Sequence, residues 1–153
     1  MQPTTNLGYL IHHISFVLDR QSDQALQERL GIGFSQFKIL MVLKWHTGVQ
    51  QKRIADYLGQ TEASISRQIK LMVEMGLLQS RVSQTNRREH LTTLTARGDR
   101  IAEEAMRLLN DYHTPMFARL SVHQQEVLTE ILQNMHQETC RGDKPGSCQH
   151  GNN

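Results

Sequence analysis

The sequence predicts a mainly α-helical fold with a small β-hairpin, a winged helix-turn-helix in the order α-α-α-α-β-β-α-α. Three observations carry this prediction. Apolar residues recur at three-and-four spacing through most of the chain, the mark of amphipathic helices. A helix, a glycine turn and a second helix over 51–75 are followed by two short strand candidates around a polar, basic tip. Basic charge gathers in the same stretch: residues 50–97 hold eight Lys or Arg against four Asp or Glu, while the whole chain nets only +2.

Composition narrows the class. A chain of 153 residues, 38% hydrophobic and 21% charged, can bury a core unaided and fits neither a disordered chain nor a membrane protein. Apolar runs such as Ile39–Leu43 are too short to span a bilayer. The N-terminus lacks a basic region, and His12-His13 interrupts its apolar stretch, so no secretory signal is expected. The two cysteines, Cys140 and Cys148, lie near the end, and a thiol-poor body fits a reducing cytoplasm.

The first helix is expected over about 7–30, with Leu7, Leu10, Ile11, Ile14, Val17 and Leu18 on one face and Gly31 and Gly33 ending it. Ser35 is positioned to cap a second helix reaching about His46, with Phe34 and Ile39 at staple spacing and Phe37, Leu40, Met41 and Lys44 continuing its stripe. A third helix covers 51–58 with Ile54, Ala55 and Leu58 inward. Thr61 caps a fourth, running to Met75, with Ile65, Ile69, Met72 and Val73 facing the core. Strand candidates at about 77–82 and 89–94 flank Ser83–Arg88. Thr95 caps a fifth helix with Ile101, Ala105, Leu108 and Tyr112 inward, which Pro115 should kink or end. Ser121-x-x-Gln124 is a capping box for a sixth, whose stripe is Leu128, Ile131, Leu132 and Met135. From about 139 the composition reads as a loose tail. The stripes of the outer helices exceed what the central third can cover, and a second copy of the chain is the simplest cover.

The helix-turn-helix is the constellation that carries function. Ala55 is small where two helices must meet, Gly59 can take a left-handed turn, and Ile65 plugs the gap. On the far side of the fourth helix stand Ala63, Ser66, Arg67, Lys70 and Glu74. Small hydroxyl groups beside Arg and Lys suit a major groove, where Arg pairs with guanine in two-pronged fashion. An ordinary solvated face is the bland alternative, and the adjoining turn and basic hairpin weigh against it. Arg87 and Arg88 at the hairpin tip suit a narrow, electronegative minor groove.

The block Thr61–Arg67, the run Glu74-Met75-Gly76-Leu77-Leu78, and the hairpin with its Leu94-Thr95-x-x-Gly98 exit resemble the MarR family of bacterial winged-helix transcription regulators. The resemblance covers about residues 7–138. It implies a homodimer on pseudo-palindromic double-stranded DNA, with helices one, five and six forming the dimer interface. It also implies repression, relieved in many members by small aromatic or anionic compounds. Arg88 falls at the arginine of the family's Asp-x-Arg wing signature, but Asn86 replaces the Asp and offers only neutral hydrogen bonds. The expected division is a helical dimerisation region from 1–33 and 99–138, a DNA-binding domain over 34–98 and a flexible tail over 139–153.

Ser64, Ser66, Arg67 and Lys70 are the expected base readers, beside Ala63. Thr61 is expected to cap the helix or touch phosphate. Ser35 and Gln36 at one helix start, and Gln50 and Gln51 at another, offer polar groups to phosphates. An effector pocket is expected where the first helix, the second and the winged part meet, with His12, His13, Phe16, Phe37, Met41 and Trp45 as candidate linings, each equally a plain packing residue. No His-x-x-x-His or Cys-x-x-Cys is present, so neither metal nor cofactor is expected. Cys140, Cys148 and His150 leave a redox- or metal-responsive tail as an alternative. A winged-helix module that binds protein is another, and apolar residues on the exposed face of the fourth helix would favour it. An enzyme is not expected, since no nucleophile elbow or phosphate-binding glycine loop occurs.

Overall fold

The computed structural model describes residues 5–82 and 90–139. Its elements are α1 (Leu7–Leu30), α2 (Phe34–Trp45), β1 (Val49–Gln50), α3 (Gln51–Leu58), α4 (Glu62–Glu74), β2 (Leu78–Val82), β3 (His90–Leu94), α5 (Ala96–Phe117) and α6 (Val122–Thr139). The sheet has the order β1-β3-β2, antiparallel throughout, with Val49 opposite Thr92 and Leu78 opposite Leu94. This is the winged helix-turn-helix expected from sequence, with one strand added.

That strand, β1, corrects the expected order, in which Gln50 opened a helix. Gln50 instead pairs with Leu91 and then caps α3 through its backbone position. Two residues have no readable alternation; only pairing with a strand about forty residues away makes them a strand.

Capping explains most helix boundaries. Asn6 Oδ1 accepts from Tyr9 N at 2.9 Å, and Thr61 Oγ1 accepts from Ser64 N at 3.2 Å. Ser121 and Gln124 complete the expected box: Ser121 N donates to Gln124 Oε1 at 2.8 Å and Gln124 N to Ser121 Oγ at 3.2 Å. The start of α2 differs from expectation. Gly33, not Ser35, is the cap: Gln36 Oε1 accepts from Gly33 N at 2.9 Å. From α1, Asp23 Oδ1 accepts from Phe34 N at 2.8 Å, so a carboxylate satisfies the amide that a Ser35 cap would have left behind.

One core joins the chain from α1 to α5. Leu26 packs into the same cluster as Ile39, Leu40, Leu43, Ile54, Ile65, Ile69, Met72 and Leu77, and so do Ala102, Ala105 and Leu109. Beyond it the structure thins. The first half of α1 leaves Leu7, Ile11 and Ile14 exposed, and α6 has no buried residue at all.

Three inward assignments are corrected. Tyr112 is exposed because the buried face of α5 runs through Gly98, Ala102, Ala105 and Leu109 instead. Val73 is exposed because Met72 takes the last core position of α4. Lys44 leaves the stripe of α2 to pair with Asp99 and Glu103. Pro115 does not end α5, which continues to Phe117; so near a helix end the missing amide is tolerated. Among the described glycines Gly98 is the most closely packed: a Cβ there would overlap the backbone carbonyl oxygen of Leu77.

Candidate nucleic-acid interface

The turn between α3 and α4 is built as its residues require. Gly59 adopts φ 60°, and Gln60 N donates to Ala55 O at 3.0 Å. Ala55 and Ile65 are buried where the two helices meet. With Ile65, Ile69 and Met72 anchored inward, helical geometry leaves Ala63, Ser66, Arg67, Lys70 and Glu74 exposed together along the outer face of α4. Neither Arg67 nor Lys70 has an ion-pair partner among the described residues, so both cations are available to a ligand.

The other sequence candidates fall in different places. Thr61 is exposed but its hydroxyl serves as the helix cap, and Ser64 is half-buried beneath it. Gln50 and Gln51 are half-buried at the β1–α3 junction. Gln36 is only 7% exposed; its Oε1 caps α2 and its Nε2 lies 4.0 Å from Met75 Sδ. That commitment to the interior withdraws Gln36 from phosphate contact. Arg87 and Arg88 lie outside the described residues, as do Cys140, Cys148 and His150.

Sequence reasoning passed over Lys52 and Arg53, both exposed in the first turn of α3. The signal was a basic pair directly after Gln51, on the helix that braces α4. At its C-terminal half α4 also exposes Leu71 and Val73, but the exposed residues of the half nearest its N-terminus, Glu62, Ala63, Ser66 and Arg67, are polar or small.

The six residues expected to line an effector pocket do not share one. His12 and His13 are exposed, and His13 stacks on Tyr9 at 5.6 Å. Trp45, at the far end of α2, is 73% exposed. Phe37 and Met41 are half-buried beside the core. Phe16 borders a groove that none of the other five lines. That groove, about 650 Å³, lies between α1 and the start of α2, lined by Phe16, Asp19, Arg20, Asp23, Phe34, Ser35 and Lys38 among others. The Arg20 guanidinium sits 5.7 Å from the Phe16 ring and the Lys38 ammonium 5.1 Å from Phe34. The histidines miss the groove because they sit higher on α1, above the point where α2 approaches. Among the described residues no cluster of His, Cys, Asp and Glu is arranged to hold a metal, and no helix is long and apolar enough to cross a membrane.

Comparison with known proteins agrees with this architecture. The profile of the MarR family matches residues 30–89. The HTH-type transcriptional repressor Rv2887 of Mycobacterium tuberculosis is 26% identical over 129 residues, which is 84% of this chain and 92% of the repressor. Among solved structures, the MepR–DNA complex of S. aureus superposes with a TM-score of 0.74 at 24% identity, covering 87% of this chain and 98% of MepR. CouR from Rhodococcus jostii RHA1, bound to p-coumaroyl-CoA, gives 0.74 at 19% identity over 88% of this chain and 95% of CouR. At such identities these two structures speak to the fold alone.

Proposed function

We propose that the chain is a regulator of the MarR family, whose profile matches residues 30–89, and that it is a homodimeric, sequence-specific DNA-binding repressor whose grip is relieved by a small molecule. The observation that carries the DNA reading is the outer face of α4, where Ser66, Arg67 and Lys70 stand exposed on a helix locked from behind by Ile65, Ile69 and Met72. A rigid helix with a short polar and basic face enters the major groove, and its hydroxyl and guanidinium groups read base edges. Ser64 and Ala63 border that surface. Lys52 and Arg53 approach phosphates from α3, Gln50, Gln51 and Ser35 offer further polar groups, and Arg87 and Arg88 serve the wing.

The second copy is supported by the uncovered apolar surface. Leu7, Ile11 and Ile14 on α1, Met116 and Phe117 on α5, and Leu128, Ile131, Leu132 and Met135 on α6 are all exposed in the single chain. An amphipathic helix with no buried residue has no reason to hold its place in water, and pairing two such arms buries both. The helical region from 1–33 and 99–138 is then the dimerisation part, and two recognition helices related by a two-fold axis reach half-sites about 34 Å apart.

The effector reading rests on the groove between α1 and α2. Two cations, each held over a phenyl ring, favour a planar anion that stacks and pairs at once. The groove also abuts the Asp23–Phe34 cap, the hydrogen bond that fixes the start of α2 to α1. A ligand carboxylate drawn to Lys38 and Arg20 competes with Asp23 there and shifts α2, which packs against α3 and α5.

Fluorescence anisotropy with labelled DNA from upstream of the protein's own gene, against scrambled DNA, tests the proposal at several salt concentrations. Preferred binding to the native sequence that weakens as salt rises is expected. Equal, weak binding to both, also to DNA selected from a random pool, would remove the DNA reading.

A further inference from the structure

Lys44, in the last turn of α2, crosses to α5. Its Nζ donates to Asp99 Oδ1 at 2.7 Å and to Glu103 Oε1 at 3.1 Å. Asp99 and Glu103 stand one turn apart, so a single cation ties the end of one helix to the first two turns of another. The same stretch of α5 is held from a second direction. Thr95 Oγ1 donates to Gly76 O at 2.7 Å, Thr95 N donates to Leu77 O at 3.0 Å, and Gly98 rests on the Leu77 carbonyl with no room for a Cβ. Gly76 and Leu77 follow Met75, the C-cap of α4.

The contact around Thr95 and Gly98 fixes the start of α5, and Ala102, Ala105 and Leu109 seat its middle in the core. Lys44 adds a directional tie between these two, from the end of α2 to the first turns of α5, which sets the tilt at which the helix leaves that seat. The far end of α5 carries Tyr112, Met116 and Phe117, exposed beside the apolar face of α6. From Leu109, its last buried residue, to Phe117 the helix runs about 12 Å, so a tilt of about 10° moves its far end by about 2 Å. Summed over two protomers that is about 4 Å, comparable to the ~3.4 Å that separates neighbouring base pairs along one strand.

We propose that the clamp of Lys44 on Asp99 and Glu103 sets the angle between the recognition helix and the dimer-forming end of α5, and thereby the half-site spacing that the dimer accepts. The inference rests on the dimeric, DNA-binding reading above. Lys44 is a positioning residue, and it does not touch DNA.

The test compares the full-length wild type with Lys44→Met, which keeps the aliphatic stem, and Lys44→Arg, which keeps the charge. Duplexes selected by the wild type from a random pool are remade with the spacer lengthened or shortened by one and two base pairs. A peaked spacing preference is expected for the wild type. Lys44→Met should reduce the ratio between best and next spacing by about threefold or more, and Lys44→Arg should restore it. A purely stabilising role would instead lower affinity for every spacing alike. Independently of DNA, nitroxides on Glu74→Cys in a Cys140→Ser, Cys148→Ser background report the distance between the two recognition helices. A distribution broadened by Lys44→Met and narrowed again by Lys44→Arg is expected. An unchanged distribution and spacing profile in Lys44→Met overturns the clamp and leaves the DNA reading standing. A wild type that sediments as a monomer, or selects no sequence, overturns that reading and the clamp with it.

Discussion

Replacing Gly98 by alanine should destabilise this protein, although the same change in most helix interiors does the opposite. An alanine ordinarily stabilises a helix by roughly 0.8–1.0 kcal/mol over glycine. Gly98 is in the first turn of α5, and its added methyl would overlap the carbonyl oxygen of Leu77, a backbone atom that cannot rotate away. That oxygen accepts from Thr95 N at 3.0 Å, and Leu77 is 1% exposed, so the obstruction falls on a buried, hydrogen-bonded group. Overpacking costs roughly 1–3 kcal/mol. Disturbing the buried hydrogen bond adds roughly 1–3 kcal/mol. Offset by the helical gain, the net loss is about 1–5 kcal/mol, which for a chain of this length lowers Tm by about 2–20 °C. Urea and thermal unfolding followed by far-UV circular dichroism, at one fixed protein concentration, measure it. Gly8→Ala is the control, because a Cβ there meets only Asn6 Oδ1 at 3.4 Å, an ordinary contact. If Gly98→Ala unfolds at the same urea concentration as wild type or a higher one, the packing of α5 on Leu77 is not as described.

Four further outcomes are expected. Arg67→Ala should relax specificity at one base position by roughly 1–3 kcal/mol, whereas Lys70→Ala, if it meets phosphate, should weaken all sequences alike and reduce the salt slope by about one; titrations across base-substituted duplexes separate the two. Hydrogen bonds to Asp99 first, and to Glu103, hold the Lys44 pKa above its ordinary 10.5. A raised pKa in the folded state adds stability that is complete below the ordinary value and is lost as pH rises through the raised one. Denaturation curves of wild type and Lys44→Met should therefore differ by a constant amount at neutral pH, the gap closing in strong alkali. Ile131→Asp on α6 should shift sedimentation toward monomer and abolish cooperative DNA binding while leaving helical content mostly intact. Arg20→Ala and Lys38→Ala should each weaken binding of benzoate, measured calorimetrically, by about tenfold if both cations hold the carboxylate.

Much of this fold was legible because its helices announce their own boundaries. Thr61, Thr95 and the Ser121–Gln124 box each cap the helix that local sequence assigns to them, and Ala55, Gly59 and Ile65 occupy the positions that a helix-turn-helix requires. What escaped was set by distant partners. β1 exists through pairing with β3, and the start of α2 moved to Gly33 because Asp23 of the preceding helix supplies a cap that no local rule anticipates. Tyr112 and Val73 fit a helical stripe as well as their buried neighbours do; periodicity gives a face but not the depth of what lies beneath it. At the candidate site the exposed face of α4 could be read from the 3.6-residue period. Gln36 could not be excluded from it, because its commitment to the Gly33 amide is a matter of rotamer. The groove residues Arg20 and Lys38 were passed over because each cation reads as ordinary surface until a phenyl ring is seen beneath it.

The shared core has a bearing on how such a protein can be recombined. Leu26 from α1 and Ala102, Ala105 and Leu109 from α5 sit among the same side chains as Ile39, Ile65 and Met72. A fragment cut at 34 and 98 would carry the reading helix away from four of the residues that back it. The DNA-reading head is thus not a cassette: a chimera that grafts it onto a relative's arms must bring the second half of α1 and the first half of α5 along. On the proposed reading, sequence preference is accordingly easier to change by surface substitutions on α4, such as at Ser66 or Arg67, than by exchange of whole heads.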